Sequence, residues 1–141
     1  MSKFFFSETS ERRLEGVHPI LVMTTKRAIN ITPIDFGIPK DGGLRTQDRQ
    51  YEMFLDPDIQ TNCDGGINMS DHQVNLDTGY GHALDFYAYI GGKASWAEHH
   101  LSMVFAAHYI ALEQLKQEER APLNAKLVWG GTYGSDTFDG W

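Results

Sequence analysis

The sequence holds a single cysteine, Cys63, in 141 residues. That excludes an intramolecular disulfide and a cysteine-built zinc knuckle, and it suits a reducing compartment. No apolar run approaches the ~20 residues that span a bilayer. Phe4-Phe5-Phe6 is too short for a signal-peptide core, and Glu8 and Glu11 follow at once. Cations are scarce: 12 Lys and Arg stand against 19 Asp and Glu, for a net charge of −7. They form no cluster, so the chain lacks the counterion-releasing patch that nucleic acid requires, and nucleic acid is not expected as a partner. There is no internal repeat and no low-complexity stretch.

What is present is enough for a core, since 41% of the residues are apolar and 12% aromatic. A chain of this length reads as one domain over residues 1–141. Ser7 to Asn30 has helical spacing in two pieces, with Leu14, Val17, Ile20 and Leu21 on one face. Pro19 fits the first turn of the second piece. Asp35 to Ile38 is a short strand, and Pro39 to Gly43 a turn. Thr46 caps a helix that runs to Leu55. From Asp56 to Gly81 the sequence is polar, rich in Gly, Asn and Asp, and long enough to be a working loop. Ala83 to Ile90 alternates and reads as one strand. Ser95 and Glu98 spell a capping box for a long helix. On that helix Leu101, Val104, Phe105, His108, Leu112 and Leu115 share a face, with His108 read as a core histidine. Lys126 to Trp129 is a last strand, and Gly130 to Trp141 an open tail. Strands and helices that do not alternate regularly point to an α+β fold.

The residues with most chemistry are Ser70-x-His72 and Gly81-His82-Ala83-Leu84-Asp85. A neutral imidazole and a carboxylate make half of a catalytic zinc site, which uses three protein ligands and leaves a place for water. On its own, such a pair is weak evidence and reads more readily as a polar loop with a surface histidine.

The wider pattern is Gly43-Leu44-Arg45-Thr46-x-x-x-x-Gln50, then Ser70-x-His72, then Gly81-x-Ala83-x-Asp85. In this order it resembles the D-alanyl-D-alanine carboxypeptidase and L-alanyl-D-glutamate endopeptidase family. Asp35-Phe36, the run from Asp85 to Trp96, and Trp129-Gly130-Gly131 resemble its phage endolysins in particular, over residues 8–141. The resemblance implies a small antiparallel sheet with helices packed on it, as in Hedgehog and D-alanyl-D-alanine peptidase domains. It implies a monomer acting on peptidoglycan stem peptides with Zn2+ as cofactor. His72 and Asp85 match zinc ligands. Arg45 matches the arginine that holds substrate and steadies the oxyanion. Gln50 and Ser70 match positions that shape the cleft. Tyr87-Ala88-Tyr89 favours the endopeptidase over the carboxypeptidase. Such an enzyme is made in the host cytoplasm without a signal peptide and reaches the wall after release.

Two departures stand out. His72 and Asp85 are separated by twelve residues. The family has about six there, so Val74 to Tyr80 reads as a loop insertion of low entropic cost. His82 is the alternative ligand, but in a strand His82 and Asp85 face opposite ways, which favours His72. After Trp-Gly-Gly the family continues to an acidic general base and then a histidine ligand. Thr137 to Trp141 resembles the lead-in, and the expectation is that both groups follow Trp141. His82, His99 or Asp139 as a replacement ligand, or an inactive remnant, are the alternatives. The competing function is a non-catalytic wall-binding or interaction module on the same fold.

Overall fold

The computed structural model describes residues 3–129 and 135–139. Among the described residues, four helices and six strands follow one another: α1 Glu8–Arg13, α2 Pro19–Ile31, β1 Asp35–Gly37, α3 Gln47–Leu55, β2 Ala83–Asp85, β3 Tyr87–Ile90, β4 Lys93–Ser95, α4 Glu98–Gln117, β5 Lys126–Trp129 and β6 Ser135–Asp139. The strands form two small antiparallel sheets, β1-β3-β4 and β2-β6-β5. This is the expected α+β class, with two small sheets where one was expected.

Local chemistry explains the helix starts. Ser7 and Thr46 accept backbone N–H groups of Ser10 and Arg49, each at 3.1 Å, which satisfies free donors of the first turn. At α2 the cap is His18, whose Nδ1 accepts the Ile20 N–H at 3.1 Å, with Pro19 in the first turn. The capping box at α4 does not form. Ser95 lies in β4, the N-cap is Ala97, and the Ser95 hydroxyl instead meets His100 Nδ1 at 2.6 Å and Ala97 N–H at 3.3 Å.

The expected single strand from Ala83 to Ile90 is divided. β2 joins β6, β3 joins β1 and β4, and Phe86 is the point where the chain passes between sheets. Part of the expected open tail, Ser135–Asp139, is a strand that fills the gap between β2 and β5.

Helices α2 and α4 pack against each other, and α4 also lies against β3 and β5. Leu21, Ala28, Leu84, Phe86, Ala88, Leu101, Val104 and Ala111 are fully buried in the resulting core. His108 sits among them, its ring 5.2 Å from those of Phe36 and Phe86, and its Nδ1–H donates to the Val104 carbonyl at 2.9 Å. Burial pushes its pKa down to about 4, so the ring is neutral at pH 7. No helix among the described residues is long and apolar enough to cross a membrane.

Candidate active site

The loop from Gly42 to Arg45 is the spine of the site. Its Gly42 carbonyl accepts the Asp85 N–H at 2.7 Å, and Arg45 N–H donates to the His72 carbonyl at 2.8 Å. Its Gly43 carbonyl accepts the His72 ring at Nδ1, 2.9 Å away. The loop therefore holds the first strand of one sheet and the long polar loop by main-chain bonds. Glycine is required at position 43 by close approach: a Cβ there would stand 1.9 Å from the Arg13 carbonyl oxygen.

Because a carbonyl only accepts, the bond to Gly43 fixes a proton on His72 Nδ1. Nε2 is then the ring nitrogen able to present a lone pair. That nitrogen is 3.4 Å from Asp85 Oδ1. The other carboxylate oxygen, Oδ2, accepts from Arg45 Nη2 at 2.9 Å. Arg45 Nη1 donates to Gln50 Oε1 at 3.1 Å, and Nε donates to the Asp41 carbonyl at 2.7 Å. Three of the five guanidinium N–H groups are thus committed, and two remain for a ligand. Burial lowers the Arg45 pKa, against the opposing pull of Asp85 and Asp41, but an arginine keeps its charge under such a shift.

Gln50 is fully buried and holds the arginine from behind. Its Nε2 donates to the Cys63 carbonyl at 2.9 Å and to Thr61 Oγ1 at 3.2 Å. Ser70 Oγ accepts the His72 N–H at 3.2 Å, so this residue shapes the turn that presents the imidazole. Arg45, Gln50, His72 and Asp85 thus belong to one connected network, with Ser70 one turn away.

Val74 to Tyr80 leaves and re-enters this site at almost the same place. Asn75 N–H donates to the Tyr80 carbonyl at 2.8 Å, and Asn75 Oδ1 accepts the Asp77 and Thr78 N–H groups. His82 N–H then donates to the Asp71 carbonyl at 2.7 Å, which brings the chain back beside His72. The long spacing between His72 and Asp85 is absorbed in this self-closed bulge.

The alternative ligands lie elsewhere. The His82 ring meets Thr78 Oγ1 at 2.7 Å and stands perpendicular to His18, with centroids 5.2 Å apart. His99 starts α4 with its ring against His100. The side chain of Asp139 and everything beyond Asp139 lie outside the described residues. No group of three possible metal donors occurs among the described residues. His72 Nε2 and Asp85 Oδ1 are two possible donors 3.4 Å apart. Two ligands about 2.0–2.1 Å from a tetrahedral zinc stand ~3.3–3.4 Å apart.

Sequence reasoning missed the supporting roles of Gln73 and Asp41, and it read Gly43 only as part of a motif. Gln73 is buried, accepts the Ser70 N–H with Oε1 and donates to the Gly65 carbonyl, each at 2.9 Å. Asp41, at φ 62°, binds Arg45 through its carbonyl and Arg49 through its carboxylate. Gly43 makes the close approach described above. Only the Gly-Gly pair before Arg45 carried a visible signal, since the partners of Gln73 and Asp41 are set by tertiary contacts.

The family model for phage L-alanyl-D-glutamate peptidases matches residues 1–138. The chain belongs to the phage L-alanyl-D-glutamate peptidase family. A curated relative, the L-alanyl-D-glutamate peptidase of Escherichia phage T5, is 30% identical over 132 residues, covering 94% of this chain and 83% of that protein. Among solved structures, the L-Ala D-Glu endopeptidase ChiX of Serratia marcescens superposes with a TM-score of 0.71 at 24% identity. That superposition covers 97% of this chain and 92% of ChiX, and it shows that the two share a fold. The resemblance read in the sequence as a whole is thus a family relationship.

Proposed function

We propose that this member of the L-alanyl-D-glutamate peptidase family is a zinc-dependent endopeptidase that cuts peptidoglycan stem peptides between L-alanine and D-glutamate. The observation that carries the reading is His72 Nε2 at 3.4 Å from Asp85 Oδ1, with Arg45 bound to the same carboxylate. One imidazole and one carboxylate suit zinc, which takes nitrogen and oxygen ligands, and the tautomer fixed by Gly43 leaves the right nitrogen for it. Zinc held by His72 and Asp85 would supply a Lewis acid, able to polarise a carbonyl and to activate water near pH 7.

The remaining work falls to the chain's own residues. D-glutamate brings a free carboxylate close to the scissile bond, and the two uncommitted N–H groups of Arg45 suit that carboxylate or the charge developing on the scissile oxygen. Because Arg45 is nearly buried, its charge acts with little screening by water. Gln50 and Asp41 keep the guanidinium plane fixed, which removes the cost of orienting it during reaction. The enzyme would act at the bacterial wall after release from the cell that makes it.

Zinc content and clearing of wall suspensions test this together in the wild type, His72→Ala and Asp85→Ala. Both variants are expected to lose zinc and at least ~10²-fold in lysis rate. Full zinc and full lysis in both would sink the site assignment. Sequencing the released peptides identifies the bond, because the expected cut leaves D-glutamate as a new amino terminus. Wall binding without cleavage by the zinc-loaded wild type would favour the non-catalytic module.

A further inference from the structure

From Leu84 to Tyr89 burial alternates without a break. Leu84, Phe86 and Ala88 are fully buried, Asp85 and Tyr87 are partly exposed, and Tyr89 is 45% exposed. Successive side chains of an extended chain face opposite ways, so Asp85, Tyr87 and Tyr89 form a row on one face at steps of ~7 Å. The row begins at the carboxylate that meets His72 and Arg45, and it continues onto the outer face of β1-β3-β4.

On that face the pairing register sets Asp35 and Ala94 beside Tyr89, and Gly37 beside Tyr87. Trp96, 52% exposed, has its ring centroid 6.1 Å from that of Tyr87. Phe5, 77% exposed, joins both tyrosines in a cleft of about 250 Å³ that Ser7 and Asp35 also line. None of the described residues lining it is a lysine or arginine. Exposed ring faces with hydroxyls and one carboxylate suit an uncharged polyol: rings cover its C–H faces and the oxygens take its hydroxyls.

The peptidase reading above, on which this inference rests, supplies such a ligand. In peptidoglycan the stem's L-alanine is amide-linked to the lactyl group of a muramic-acid sugar. One residue spans at most about 3.6 Å, so the sugar meets the protein within the first steps away from the scissile bond. We propose that Tyr87, Tyr89 and Trp96, with Phe5 and Asp35, form a subsite for the peptidoglycan glycan strand, laid out from Asp85 across the outer face of the sheet.

Two substrates separate this role from the chemistry: a free stem tripeptide beginning L-Ala-D-Glu, and the same peptide carried on its disaccharide. Combined Tyr89→Ala and Trp96→Ala is expected to lower kcat/KM at least about tenfold on the disaccharide-linked peptide, and to leave the free peptide within about twofold. Tyr89→Phe keeps the ring and is expected to retain most of the rate. In a direct measurement, a tetramer of β-1,4-linked N-acetylglucosamine is added to the protein and amide NMR shifts are followed. The shifts are expected at Tyr87, Tyr89, Ala94 and Trp96, and are expected to vanish in the double variant. Equal loss on both substrates, no loss on either, or shifts clustered elsewhere overturns the subsite. Sugar-induced shifts at these residues in a protein that cleaves neither substrate would sink the peptidase reading and leave the glycan site standing. Cleavage of both substrates at equal rates by wild type and double variant would do the reverse.

Discussion

At the scale of single residues, Arg45 shows why position matters more than charge. Its fork reaches Gln50, Asp85 and the Asp41 carbonyl at once, a geometry that an ammonium cannot reproduce. Arg45→Lys is therefore expected to lower kcat by ~10² or more, with KM raised, while the fold persists. Steady-state kinetics with a melting curve checks this, and a wild-type rate in the variant would remove Arg45 from the reaction. His108 gives a prediction in pH. Its folded pKa is about 4 against an ordinary 6.5, so an unfolded chain binds the proton first as pH falls. The stability that the neutral ring contributes is complete above pH 6.5 and is lost progressively toward pH 4, by up to ~1.4 kcal/mol per pH unit. His108→Gln keeps a neutral donor for the Val104 carbonyl, and its urea-unfolding stability is expected to fall less steeply across that window. Parallel curves for the two proteins would refute the assignment.

Among the elements, short-range signals were legible and pairing was not. Pro19 and Thr46 announced α2 and α3 because caps and first turns are decided within a few residues. The division of Ala83–Ile90 could not be read, since the alternation continues through Phe86 while the partners change on either side of it. β6 was missed because Ser135–Asp139 is mostly polar, and one of its two partners, β2, lies about fifty residues away in sequence while only β5 is near. The capping box failed because β4 claims Ser95 first. Within the site, the residue types of Arg45, His72 and Asp85 were readable, but the bonds that orient them depend on tertiary contact. Two loop changes probe that orientation. Gly43→Ala forces a Cβ against the Arg13 carbonyl, and is expected to cost roughly 2–4 kcal/mol in denaturant unfolding and to abolish activity. An unchanged unfolding midpoint would contradict the close approach. Deleting Asn75–Tyr80, which closes on itself, is expected to leave a folded, zinc-binding chain with a melting temperature within a few degrees of the parent. Loss of cooperative unfolding would show that the bulge holds the fold together.

For the molecule as a whole, the seam between α2 and α4 carries the sheets and the site stands apart from it. Ala28 of α2 and Ala107 and Ala111 of α4 are buried in the core that these two packed helices share, and small side chains let helices approach. Ala111→Leu is expected to cost about 1–3 kcal/mol of stability by overpacking. Turnover per folded molecule should stay near that of the parent, because none of the site's bonds involves α4. A fall in turnover larger than the fall in folded fraction would show that the seam sets the site's geometry. The loop from Gly42 to Arg45 has a different kind of consequence. It fixes His72 and Asp85 through carbonyl groups, which every amino acid carries, and through amide N–H groups, which every residue but proline carries. Most side-chain substitutions in the surrounding shell leave those anchor points in place. The backbone frame of the site is therefore buffered against sequence drift, with Gly43 as the position in that loop whose lack of a side chain must be kept.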